Sequence, residues 1–228
     1  MSVLLPVITG VGCALSFLLM LRDTEEQKKE NKIEENAETI QENRGIPASV
    51  LIYSAICIVL TVLISVFFPQ MYPSNSVWIN IKRMVILSII WPIAYIDFKT
   101  LRIPNLFIIF GLVSRIVILV FEVFLGNPVV WQTLLSEAIA AGALLLAAGL
   151  CALIVKNGIG FGDMKLFAVM GLMLGLEGIW GAIFLALIVS FVVALFVLIT
   201  KKKTRKDAIP FGPALVIGTY LSICLSGM

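Results

Sequence analysis

Two aspartates, Asp97 and Asp163, stand at the edges of strongly apolar segments, where an ionised side chain is costly. Asp97 closes the run Met84 to Ile96 and opens Ile96-Asp97-Phe98-Lys99-Thr100-Leu101-Arg102-Ile103-Pro104-Asn105. Asp163 ends Gly158-Ile159-Gly160-Phe161-Gly162-Asp163 and precedes another apolar run. The chain has no histidine, and no serine or cysteine stands in an obvious nucleophile setting. The chemistry left to it is acid/base work by a pair of carboxylates. Like charges side by side cannot both ionise, so an approaching pair shares one proton. One oxygen then activates a water and another protonates a leaving amine.

The residues around the aspartates have mechanical uses. Gly158, Gly160 and Gly162 alternate, predicting a flexible turn without side-chain bulk through which a substrate backbone can approach Asp163. Gly171 and Gly175 form a G-x-x-x-G in the following helix, which predicts close packing on a neighbour. Pro104 is expected to end one helix and start the next. Plainer roles compete with catalysis: an interfacial Asp also serves as an N-cap, or pairs with a nearby lysine, here Lys99 for Asp97 and Lys165 for Asp163.

What must position these groups is a membrane bundle. Of the 228 residues, 60% are hydrophobic and only 14% charged, with a mean hydropathy of +1.06, which excludes an ordinary soluble domain. Apolar runs that read as membrane segments are Val3 to Leu21, Ile46 to Phe68, Val77 to Ile96, Leu106 to Phe124, Ala138 to Val155, the short Leu166 to Leu176, Gly178 to Thr200 and Phe211 to Ser226. The expectation is an all-α polytopic bundle of about eight segments forming one domain over residues 1–228, without internal repeat. In the third span Lys82 and Arg83 are expected to snorkel to the interface. That leaves a charge-free stretch of about 20 Å before Asp97. Arg115 and Glu122 share one face of the fourth span and are expected to form an ion pair within the bundle. Cys13, Cys57, Cys151 and Cys224 all fall in apolar runs and read as small core residues.

Basic residues set the orientation. With the N-terminus outside, one side collects the 22–45 segment, Lys99, Arg102, Lys156, Lys165 and the run Lys201-Lys202-Lys203-Thr204-Arg205-Lys206. Both aspartates are therefore expected at the cytoplasmic face of the cell membrane. The 201–206 run is expected to meet anionic lipid headgroups, and no nucleic acid partner is expected. Residues 23–44 hold eight acids and four bases. They read as a frayed surface helix with a Glu25–Lys29 pair.

Three ordered motifs carry a resemblance. Asp97 followed by Ile103-Pro104-Asn105, then Gly160-Phe161-Gly162-Asp163-Met164-Lys165-Leu166, then Ile209-Pro210-Phe211-Gly212-Pro213-Ala214 resemble the type IV prepilin peptidase family, integral-membrane aspartic proteases of the GxGD type. The likeness covers a core of residues 77–226. It implies that Asp97 and Asp163 are the catalytic dyad, with Gly160, Gly162, Lys165, Pro104, Pro210 and Gly212 as motif residues shaping the site. It also implies a prepilin or pseudopilin substrate with a short basic leader, cut on the cytoplasmic side ahead of its hydrophobic helix. No metal or other cofactor is expected. Many bacterial members carry zinc-binding C-x-x-C pairs between the first two spans, associated with N-methylation. The corresponding 22–45 segment has no cysteine, which argues against methyl transfer. Two other classes compete. A proton-coupled transporter using the aspartates as a relay would be expected to show repeated halves, and a non-enzymatic assembly scaffold would not depend on either aspartate.

Overall fold

The computed structural model describes residues 4–34, 48–72, 75–154, 160–199 and 210–226. Gly158, Lys156, Ile209, the 35–45 part of the acidic segment and the Lys201 to Lys206 run lie outside the described residues. Among the described residues every regular element is helical: α1 Leu4–Glu34, α2 Ala48–Met71, α3 Val77–Thr100, α4 Asn105–Phe124, α5 Val130–Ile154, α6 Phe161–Ile199 and α7 Gly212–Ser226. The first six are long and apolar enough to cross a membrane, and α7 is a shorter apolar helix. In lipid a helix satisfies all its own backbone polar groups, which is why apolar runs of this length take that form. Large side chains such as Trp131, Phe184, Phe191 and Phe196 are exposed on the outside of the bundle, as a hydrocarbon solvent allows.

The hub is α3. It is 72% buried along its span, against 11–33% for the other five, and it packs against α1, α2, α4, α6 and α7. The third span, expected over Val77 to Ile96, is present and runs further. The 24 residues of α3 extend about 36 Å and continue through Asp97 to Thr100. The left-handed Leu101 (φ 53) then ends the helix by donating its N–H to the Asp97 carbonyl at 2.9 Å.

Lys82 and Arg83 do not snorkel. They are 3% and 4% exposed: buried acids of neighbouring helices meet Lys82, and Arg83 is buried beside it. Lys82 Nζ donates to Glu137 Oε1 of α5 at 2.5 Å and lies 3.3 Å from Glu122 Oε1 of α4. The expected Arg115–Glu122 pair is present, with Nη1 to Oε2 at 3.1 Å. Arg115 also reaches Glu137 Oε2, through Nε at 2.7 Å and through Nη2. Two cations and two carboxylates, all at most 5% exposed, thus neutralise one another. Arg83 lies within electrostatic reach of Glu177.

The sixth and seventh apolar segments follow each other without a loop and meet at a kink. α6 has 39 residues, interrupted at Gly175 (φ 65, ψ −177), a backbone region open essentially only to glycine. Asp163 and Leu187 are equidistant from Gly175 in sequence and line the same cleft, so the chain folds back on itself there. The Leu176 N–H, released from the helical ladder by the break, donates to Ser136 Oγ at 3.2 Å. Only one glycine of the G-x-x-x-G pair serves close packing. A methyl at Gly171 would stand 2.8 Å from the Ala141 backbone, bringing the first arm of α6 onto α5, whereas Gly175 makes the reversal. The second arm meets α7 where Gly218 abuts Ala186. Of the cysteines, Cys13 and Cys57 are buried as expected, but Cys151 and Cys224 are exposed, on faces turned away from the core.

Candidate active site

Each aspartate is held by a helix end. Asp97 occupies the last turns of α3 and is 6% exposed. Its Oδ2 accepts the N–H of Gly212 at 2.7 Å. Gly212 is the first residue of α7, where N–H groups lack partners within their own helix. A Cβ at Gly212 would stand 2.9 Å from Asp97 Oδ2 and 3.1 Å from the Ala94 Cα, so glycine is what lets this backbone touch the carboxylate. Asp163 lies in the first turn of α6. Gly160 faces it, with room for a Cβ only 3.2 Å from Asp163 Oδ2. The two carboxylates are close enough for their charges to interact.

The motifs meet at this point. A Cβ at Gly162 would lie 3.0 Å from that of Ile103, seating the glycine turn on the α3–α4 connection. Lys165 Nζ donates to Asn105 Oδ1 at 3.0 Å. Phe167 and Phe211 make an edge-to-face contact with centroids 5.8 Å apart, tying α6 to the start of α7. Lys165 therefore fastens two motifs together, and Lys99 Nζ stands over the Tyr95 ring at 6.0 Å. Among the described residues neither lysine pairs with its neighbouring aspartate, so the bland reading of the two acids as ion-pair partners is not what the fold builds. The two prolines stand at helix starts. Pro104 is the N-cap residue of α4, and Pro210 precedes α7 and lines a separate apolar groove with Phe98 and Val193.

Asp163 opens onto a cleft of about 430 Å³ lined by α5, both arms of α6 and Phe211. Sequence reasoning missed this cleft, because its walls come from apolar residues indistinguishable from core. It also missed Glu137, taken as lying just outside a span beginning at Ala138. A charge count held the signal: Lys82, Arg83 and Arg115 inside the spans face a single acid, Glu122, an excess of two cations.

Comparison with known proteins agrees with the motifs. Residues 84–199 match the model of the type IV leader peptidase family, a segment that contains both aspartates. A prepilin leader peptidase/N-methyltransferase of Bacillus subtilis (strain 168) is 31% identical over 144 residues, covering 61% of this chain and 53% of that protein. The protein of the same name from Xanthomonas campestris pv. campestris is 39% identical over 66 residues, or 29% of this chain and 23% of its own length. The aligned part of the chain thus spans about half the length of the first relative and less of the second. No solved structure matches. With half of its length matched by the family model, including the two aspartates and the glycine turn between them, the chain belongs to the type IV leader peptidase family.

Proposed function

We propose that the chain is a membrane-embedded aspartic endopeptidase that removes the short basic leader of a prepilin or pseudopilin at the cytoplasmic membrane face. The observation that carries it is the convergence of three distant motifs on two carboxylates. Gly212 touches Asp97, Ile103 seats Gly162, and Asn105 holds Lys165, while Asp97 and Asp163 feel each other's charge. One carboxylate, ionised, takes a proton from a water as the water oxygen bonds to the scissile carbonyl carbon. The other, protonated, hydrogen-bonds the carbonyl oxygen. When the C–N bond breaks, the proton taken from water passes to the leaving amine. The glycine at position 160 leaves space for the substrate backbone beside Asp163. Proton relay in a transporter uses the same acids, but it leaves the Ile-Pro motifs and the Gly212 contact without a task. The transferase half of the relatives' names is not carried over: all four cysteines sit in apolar helices.

Asp97→Asn and Asp163→Asn each keep the shape and remove the proton-carrying group. With a co-expressed prepilin, each is expected to insert in the membrane and to lose leader cleavage by on the order of 10²–10⁴-fold. Cleavage by the wild type is expected to fall on both sides of a pH optimum, reporting the pair rather than either residue. Either variant processing at the wild-type rate contradicts the two-aspartate mechanism.

A further inference from the structure

The cleft beside Asp163 has a composition that selects one side of a cleaved peptide. Its α5 wall is Leu144, Ala147, Ala148 and Cys151, and its facing wall, on the second arm of α6, is Ile183, Leu187 and Ser190. Both sets recur every three or four residues, so each wall is a single helical stripe and the cleft runs along the helices for about 10 Å. Phe167 and Phe211 close one side. Asp163 is the one charged side chain in the lining. Leu187 is 55% exposed and Cys151 is exposed, which leaves the trough open on the flank of the bundle. Its volume of about 430 Å³ falls in the range of about 300–1,000 Å³ usual for ligand sites.

We infer that this trough receives the apolar segment on the carboxyl-terminal side of the scissile bond, with Cys151 on one wall and Ser190 on the other. The inference rests on the peptidase activity proposed above and adds which part of the substrate lies where. A basic leader finds no acid along the trough beyond Asp163, and burying its cations among Leu144, Ala148 and Ile183 leaves them unpaired. An apolar helix meets the opposite case. It buries side chains in the trough, enters sideways from lipid without crossing a polar surface, and delivers its amino-terminal end to the carboxylate. The small residues Ala147, Ala148, Cys151 and Ser190 let a second helix approach closely.

The natural thiol at Cys151 makes this measurable. The full-length Asp163→Asn protein, in membranes, is mixed with synthetic peptides made of a basic leader and about 20 apolar residues. Each peptide carries a single cysteine, placed either before or after the cleavage position, and copper phenanthroline serves as the oxidant. Disulfides to Cys151 are expected at positions after the cut, recurring every third or fourth residue, and lost in Cys151→Ala. Ser190→Cys in the Cys151→Ala background is expected to capture the intervening positions from the opposite wall. Cross-links confined to leader positions, or none from either wall while the wild type cleaves the same peptides, would overturn the inference and leave the peptidase standing. Cleavage of the peptides by the Asp163→Asn protein itself would instead overturn the catalytic reading.

Discussion

The bundle buries charge in two places, and it treats them oppositely. Around Lys82, Arg115, Glu122 and Glu137 every charge has an opposite partner, the contacts come from α3, α4 and α5, and the sum is zero. About 22 Å further along α3, Asp97 and Asp163 have like charges, backbone donors and no cation in contact among the described residues. A neutral network with every charge paired joins α3, α4 and α5. A pair of acids without a counter-ion costs stability in the folded state and keeps a proton available for transfer. The same helix therefore carries a structural charge site at one end and the proposed reactive one at the other. Sequence composition alone does not distinguish them.

The contrast can be broken by removing a partner. Glu137→Gln leaves Lys82 and Arg115 sharing one buried carboxylate, and is expected to cost about 3–5 kcal/mol, read as a lowered unfolding midpoint in detergent. Adding Lys82→Met to it is expected to cost less than the two changes summed. Strict additivity would mean that the four charges do not act as one unit. At the other end, Gly212→Ala places a methyl 2.9 Å from Asp97 Oδ2. Its expected effect is on rate rather than stability: a fall in kcat on the order of 10- to 100-fold from displacing one carboxylate, with the unfolding midpoint close to wild type. An equal loss of stability would make Gly212 a packing residue only. The smallest effect concerns the acidic segment. Residues 23–44 have eight acids and four bases, a net charge of −4, and a basic leader is drawn toward such a surface. Replacing Glu30, Glu34, Glu35 and Glu38 with Gln is expected to raise KM a few-fold at low salt and to change nothing at about 0.1 M or above, where exposed charges beyond about 10 Å are screened. No change at low salt would reduce the segment to a connector.

How much of this was legible in the sequence differs between the two regions. The helical class and the Arg115–Glu122 pair could be read directly, because long apolar runs force helices and intramembrane charges force partners. The ends of elements could not. The apolar span reads as Val77 to Ile96 and Pro104 as the helix breaker, but the helix ends at Thr100, where Leu101 turns left-handed, a backbone event no residue type there announces. Lys82 was expected at the interface because Glu137 lies 55 residues away in sequence, and only the packing of α5 on the bundle brings it there. Gly175 was expected to pack and instead reverses the chain, since a G-x-x-x-G pattern does not encode φ. The apolar cleft left no trace in the sequence: a residue lining a trough and one lining a core differ only in what lies opposite.

The division between the two charge sites rests most directly on Asp163→Asn, measured twice on one purified sample: thermal unfolding and leader cleavage. Removing an acid that has no cation should leave the unfolding midpoint at or above that of the wild type, while cleavage falls by on the order of 10²–10⁴-fold. A midpoint that drops as far as that of Glu137→Gln, or cleavage that persists, would contradict the account.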